Sequence, residues 1–400
     1  MVFGSGLPQS FNPHKYDMIV VGAGFAGSVC ARRIAEGLGI HVAVLERRGH
    51  VAGNAYDCVN EAGIRVHVFG PHVYHTKSQR VDSFLSRFTE WTDYRHRVLA
   101  DVHGVLMPVP FNRQSLQLAF GPARAERLFD KLVATFGKDV TVPILELRDT
   151  NDPDLAEVAD YVFENIFYHY SVKQWGKTPD ELDPVVLDRV PILIGECDLY
   201  YPEARFQGLP CDGYTAMFER MLHHDLIDVF CDVDARDLIS FEETRTLFAN
   251  EPYGGEIIYT GPLDELFGFE FGVLPYRSLE LGVETLDQDR FQPVGTINYT
   301  VSEAFTRITE FKILTEQDVP GKTTIMREYS RPWSPSSGQI PYYAVIDRES
   351  RALYDRYLER VRELTNFHPV GRLAEYRYYD MDAVTESALE LSDEIIALHA

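Results

Sequence analysis

Tyr16-Asp17-Met18-Ile19-Val20-Val21-Gly22-Ala23-Gly24-Phe25-Ala26-Gly27 is a short apolar run that ends in three glycines spaced G-x-G-x-x-G, followed by a helical stretch from Ser28 to Gly37. An unbroken apolar run of this length reads as a strand buried on both faces of a parallel sheet. In strand-turn-helix context Gly22 permits the tight turn, Gly24 lets backbone approach a pyrophosphate, and Gly27 lets the helix close on the strand. The phosphates then fall at the helix N-terminus, where free amides point at them, so Phe25 and Ala26 join the three glycines as expected cofactor contacts. A second strand, His41 to Leu45, ends in Glu46, twenty-four residues after Gly22, where a carboxylate accepts a ribose hydroxyl. Strand, turn, helix, strand and terminal acid together specify a dinucleotide-binding unit in an α/β fold.

Past Glu46 the chain runs Arg47-Arg48-Gly49-His50-Val51-Ala52-Gly53-Asn54-Ala55-Tyr56-Asp57, a second glycine-containing turn. In FAD proteins such an extension brings backbone and an arginine toward the pyrophosphate, whereas an ordinary NAD domain has none there. Arg47, Gly53 and Asn54 are the expected contacts, and a surface loop with a chance Arg-Arg pair is the alternative.

The 400 residues suggest two or three domains, and 45% apolar with 25% charged residues is the composition of a packed globular protein. A formal charge of −23 disfavours nucleic acid and anionic lipid as partners, so any anionic ligand needs locally placed arginines. Five cysteines, Cys30, Cys58, Cys197, Cys211 and Cys231, include no C-x-x-C pair. They suggest neither a metal site nor a disulfide framework, and a reducing cytoplasm fits them. Met1 to Asp17 lacks the apolar centre of a signal peptide, and nowhere do about 18 apolar residues run together, so no membrane span is expected.

Gly70-Pro71-His72-Val73-Tyr74-His75-Thr76 is a compact turn whose two histidines, taken alone, read as satisfied core or surface groups. Leu155, Val158, Ala159, Val162, Phe163, Ile166, Phe167 and Tyr170 form an apolar stripe at helical spacing. Tyr170-Ser171-Val172-Lys173-Gln174-Trp175-Gly176-Lys177 follows, and a helix end carrying Tyr and Trp can stack a base.

Those segments, with Arg205-Phe206-Gln207-Gly208-Leu209-Pro210, Gly213-Tyr214-Thr215, Thr306-Arg307-Ile308-Thr309-Glu310-Phe311-Lys312, Pro341-Tyr342-Tyr343, Gly371-Arg372-Leu373 and Tyr376-Arg377-Tyr378-Tyr379-Asp380-Met381-Asp382, resemble the bacterial UDP-galactopyranose mutases over roughly residues 16–395. The resemblance implies a Rossmann-like FAD-binding domain interleaved with a small helical domain and an antiparallel β-sheet domain, in a homodimer. On this chain the division is 1–80, 222–262 and 365–400 for the FAD-binding domain, 81–182 for the mainly helical domain, and 183–221 with 263–364 for the sheet domain.

The resemblance also implies the site. Arg189 and Arg307 match two arginines that hold the substrate diphosphate, and both, with His75, are the expected catalytic groups. Tyr200, Tyr343 and Tyr378 match tyrosines that donate to the diphosphate, with Asp380 as a companion carboxylate. Uridine is expected against Phe167, Tyr170, Ser171 and Trp175 with Asn112 nearby, and the sugar against Asn298. His72, Arg372, Tyr378, Asp380 and Met381 fall on the flavin. Apart from the resemblance, a helix expected from about Asp382 to Leu398 would present its first amides to the flavin edge. Two positions depart from the family pattern at the base, Ile166 for an aromatic and Ser171 for threonine. Ala52 stands where the first flavin turn commonly has glycine, and it fits there only at negative φ.

The implied reaction is reversible ring contraction of UDP-galactopyranose to UDP-galactofuranose. Reduced FAD, supplied with electrons by an external donor, acts through N5 as nucleophile at the anomeric carbon with no net redox change. Alternatives are a mutase for another nucleotide sugar, a flavin amine-oxidase-like oxidoreductase, or a non-catalytic nucleotide-binding module.

Overall fold

The computed structural model describes residues 4–9, 11–181 and 191–399. Strand Met18–Val21 lies inside a six-stranded parallel sheet in the order Gly4–Ser5, Ile227–Cys231, Val42–Leu45, Met18–Val21, Glu256–Tyr259, Phe367–Pro369. Buried residues on Met18–Val21 and all four residues of Val42–Leu45 explain why neither strand alternates in polarity. Helix Phe25–Leu38 starts directly after the glycine turn and ends at Gly39 in the left-handed conformation, φ +67°. It packs against the last helix, Met381–His399, which closes the same layer.

A second sheet of seven strands runs in the order Tyr343–Ala344, Tyr276–Leu286, Thr323–Pro332, Arg307–Glu310, Thr296–Tyr299, Val98–Val102, Val105–Val109. Its pairings are antiparallel except Thr296–Tyr299 with Val98–Val102, which is parallel. The hairpin Val98–Val109 therefore belongs to this sheet, although it lies within the segment expected to be mainly helical. Val98, Ala100 and Val102 are buried in alternation with half-exposed neighbours, and that two-residue period is what a strand with one covered face requires.

Helices Arg113–Phe120, Pro122–Phe136, Ile144–Arg148 and Pro153–Val162 form the third unit, over an apolar core that includes Leu128, Leu132, Val158 and Val162. From Phe163 to Tyr168 the chain winds as a π-helix and then returns to α-helix over His169–Trp175. The wider turn shifts the helical phase, a device common where a helix must aim side chains at a site. Here Ile166, Phe167, Tyr170, Ser171, Gln174 and Trp175 all reach the wall of one cavity. Among the described residues no helix is long and apolar enough to cross a membrane.

His67 and His96 are buried, and desolvation pushes both rings down to about 3. His67 Nδ1 accepts the His72 amide at 2.9 Å, a role that only an unprotonated nitrogen can fill. Their folded-state values lie below the ordinary 6.5, so their stability is complete above about pH 6.5 and is lost as pH falls toward 3. We expect Tm to drop steeply between pH 6.5 and 5, and His67→Gln or His96→Gln to flatten that slope; an unchanged slope in both variants would remove these rings as the cause.

Candidate active site

A cavity of about 720 Å³ runs from the glycine turn of the parallel sheet to the face of the seven-stranded sheet. At the first end Glu46 is fixed by two backbone amides: Ala23 N–H donates to Oε2 at 2.8 Å and Arg48 N–H to Oε1 at 2.9 Å. The acid is thus aimed at the strand end with lone pairs to spare. A Cβ built on Gly24 would meet only Gly53 Cα at 3.7 Å, and one on Gly53 would come within 3.0 Å of Gly24 Cα. The two glycine turns therefore touch and leave a bare-backbone cradle. Gly27 lies outside the cavity wall; a Cβ there would sit 1.9 Å from Gly22 O, so its role is helix-strand contact.

Ala52 departs from the expectation of negative φ. Its φ is +74°, in the left-handed region, at a cost to an alanine of about 1 kcal/mol. Burial and the bond from its N–H to Ala23 O at 2.9 Å hold it there. Both neighbouring arginines line the cavity, but they differ in what they can offer. Arg47 is half-exposed and pairs with Glu265 at 3.4 Å. Arg48 lies over Phe69 at 4.3 Å and donates from Nη2 to Asn54 Oδ1 at 2.9 Å, while its buried Nη1 has no partner among the described residues. Arg48, which was not among the expected contacts, holds the unspent donor. Its place two residues beyond the ribose acid was the available signal.

In the middle of the cavity His72 Nδ1 is bonded to Gly70 O at 2.8 Å, and burial pushes the ring down to about 3. His75 is stacked on Tyr201, centroids 3.5 Å apart, with Nε2 3.7 Å from Asp380 Oδ2. Arg372 Cζ lies 5.8 Å from the Tyr343 ring. Met381 and Val384, in the first turn of the last helix, also line this region.

At the far end Trp175, Tyr343 and Tyr378 form an aromatic corner with centroid separations of 5.4 to 5.9 Å. Tyr200 stands beside it, packed edge-on against His96 at 5.6 Å. Burial pushes the Tyr170 phenol up to about 12, so it is a donor at every working pH. Arg307 enters from its strand with Nε 3.1 Å from Glu328 Oε2, directly opposite on the neighbouring strand. Glu328 is only 1% exposed, and burial raises its carboxyl although Arg307 pulls the other way. Asn298 is also on the wall.

The structure thus brings nearly every expected site residue to one cavity. Arg189 lies outside the described residues. Asn112 is not on the cavity wall: its Oδ1 caps helix Arg113–Phe120 at Ser115 N, 3.1 Å, and its Nδ2 donates to Cys197 O at 2.9 Å. Glu328 and Gln174 were missed; Glu328 shares strand parity with buried Met326 and Ser330, and an acid at such a position was the legible sign.

A glycine cradle, a ribose-directed acid and an unspent arginine at the end of a parallel sheet define a Rossmann-like dinucleotide-binding protein, and residues 20–88 match the model of the NAD(P)-binding Rossmann-like domain. Residues 165–378, which carry the aromatic corner and the Arg307–Glu328 pair, match the UDP-galactopyranose mutase family model. The chain is 33% identical over 396 residues to UDP-galactopyranose mutase of Mycoplasma pneumoniae, covering 98% of each, and 32% identical to dTDP-fucopyranose mutase of Escherichia coli, covering 93% and 96%. A crystal structure of reduced UDP-galactopyranose mutase superposes with TM-score 0.70 at 15% identity over 96% of both chains. The chain belongs to the UDP-galactopyranose mutase family and is an isomerase.

Proposed function

We propose that the protein interconverts UDP-galactopyranose and UDP-galactofuranose with bound FAD in its reduced state. The single observation that supports this most is the continuity of one cavity from the bare-backbone cradle to the Arg307 corner, which suits a dinucleotide at one end and a nucleotide sugar at the other. The residues fit FAD: Gly24 and Gly53 leave room for a pyrophosphate, Arg48 Nη1 is unspent, and Glu46 faces the ribose position. When bound, reduced FAD supplies at N5 the nucleophile for the anomeric carbon, with no net redox change.

The chain's own residues do the rest. Trp175, Tyr170, Phe167 and Ser171 hold the uridine. Arg307 and Arg189 take the diphosphate, with Tyr200, Tyr343 and Tyr378 donating to it, and stabilise it as it departs. Asn298 orients the sugar, while His72, His75 and Arg372 set the wall between sugar and cofactor. The first amides of helix Met381–His399 favour negative charge on the cofactor edge they face. The functional division into FAD-binding, helical and sheet domains, a homodimer, an external electron donor and a cytoplasmic location complete the proposal.

The similarity to dTDP-fucopyranose mutase supports a second reading, in which the same diphosphate apparatus serves a deoxythymidine-linked fucose. Relative kcat/KM for UDP-galactofuranose and dTDP-fucofuranose decides between them, and we expect the uridine sugar to be preferred by at least about tenfold. Anaerobic bleaching of the oxidised flavin by either sugar would instead point to an oxidoreductase.

A further inference from the structure

Two cations near the far end of the cavity, buried Arg277 and half-buried Lys173, form no salt bridge among the described residues. Arg277, 8% exposed, donates from Nε to Gln174 O at 3.0 Å and to Ser330 Oγ at 3.0 Å, and from Nη2 to Lys173 O at 3.2 Å. Ser330 Oγ in turn donates to Gln174 O at 2.6 Å. The last carbonyls of helix His169–Trp175, which lack intrahelical partners and carry the negative end of the dipole, are therefore capped by a strand of the seven-stranded sheet and its neighbour. Gly176 ends the helix at φ +70°, and a Cβ there would lie 2.7 Å from Arg277 Nη1, so the guanidinium is seated against the turn.

Lys173 is on the same helix. Its ammonium donates to the carbonyls of Tyr299, of Glu303 at 3.1 Å and of Phe305 at 3.5 Å. Those residues form the connection between strands Thr296–Tyr299 and Arg307–Glu310, so Lys173 grips the loop between Asn298 and Arg307. Arg277 is also paired in register with Tyr343, and its carbonyl accepts from Tyr342 N–H at 2.9 Å. Both cations spend their donors on backbone carbonyls, and in doing so they join the helix bearing Tyr170 and Trp175 to the strands bearing Asn298, Arg307 and Tyr343.

We propose that Arg277 and Lys173 are positioning residues that set the spacing between the base-holding helix and the diphosphate-holding strand. The inference rests on the nucleotide-sugar reading above. A ligand that contacts only the helix is indifferent to that spacing; one that reaches from helix to Arg307 depends on it, and its transition state depends on it most.

The test uses oxidised holoprotein titrated with UMP and with UDP, followed by turnover in the reduced state, for Arg277→Met, Arg277→Lys, Ser330→Ala and Lys173→Met. We expect Arg277→Met and Lys173→Met to raise the Kd of UDP about tenfold while that of UMP stays within about twofold, and to lower kcat by about thirtyfold with KM less affected. Arg277→Lys, which keeps a donor at the same carbonyls, should recover most of the loss, and Ser330→Ala, mild enough to fold, should show a smaller loss of the same kind. Equal weakening of UMP and UDP, or a lower Tm with wild-type kcat per bound flavin, would overturn the proposal. Failure of the unsubstituted protein to bind UDP would overturn the substrate reading and this inference with it.

Discussion

Arg307→Ala is expected to lower kcat/KM by about a thousandfold and to destabilise the protein by about 3 kcal/mol, two effects with separate causes. The first follows from losing the guanidinium at the diphosphate end of the cavity. The second follows from Glu328, 1% exposed and 3.1 Å from the arginine: without its partner it is a buried charge with nothing to oppose desolvation. Glu328→Gln added to Arg307→Ala should therefore restore most of the lost Tm and none of the activity. The pH dependence gives an independent reading. Burial already raises the Glu328 carboxyl, and removing Arg307 raises it further. A group raised in the folded state contributes its full stability below the ordinary carboxyl range and loses it as pH rises through the folded value. The deficit of Arg307→Ala relative to the unsubstituted protein should thus be small near pH 5 and largest near pH 8. A deficit independent of pH, or one that Glu328→Gln fails to relieve, would mean that Glu328 is not the source.

Gly24→Val and Gly27→Ala should fail in different ways. A Cβ at Gly24 meets only Gly53 Cα, at 3.7 Å, an ordinary contact, so the variant should fold, yet its methyl groups enter the cradle and it should purify with less than about a tenth of the flavin. At Gly27 one methyl group collides with Gly22 O at 1.9 Å, and the helix cannot close on its strand. Gly27→Ala should be largely insoluble or show a Tm lower by many degrees, before any question of cofactor arises. Flavin absorbance per folded chain, with folding scored by circular dichroism, separates the two. A yellow Gly24→Val protein would show that the pyrophosphate lies elsewhere.

Much of this architecture was legible because each signal has a local cause. The run Met18–Val21 lacks polar alternation because both faces are covered, and the three glycines of the turn have distinct steric duties that fix strand, helix and phosphate site together. The last helix, expected from about Asp382 to Leu398, runs Met381–His399. The unreadable parts depend on partners distant in sequence. The parallel junction of Thr296–Tyr299 with Val98–Val102 joins segments almost two hundred residues apart, so neither strand's own pattern reveals it. Asn112 was expected from the family resemblance, and nothing local shows that Cys197 O accepts from its amide. Arg47 and Arg48 are indistinguishable as letters, and only the Glu265 carboxylate beside one and the Phe69 ring under the other tell them apart. Ala52 is held at positive φ by a bond to Ala23 of the other glycine turn, about thirty residues earlier in the chain.

The most direct measurement is product analysis by ion-pair chromatography after anaerobic incubation of UDP-galactofuranose with the flavin-bound protein, one half of a single preparation reduced with dithionite and the other left oxidised. UDP-galactopyranose is expected from the reduced half alone, with the flavin still reduced at the end. Equal conversion by both halves, or none from the reduced half with its flavin intact, would contradict the proposed function.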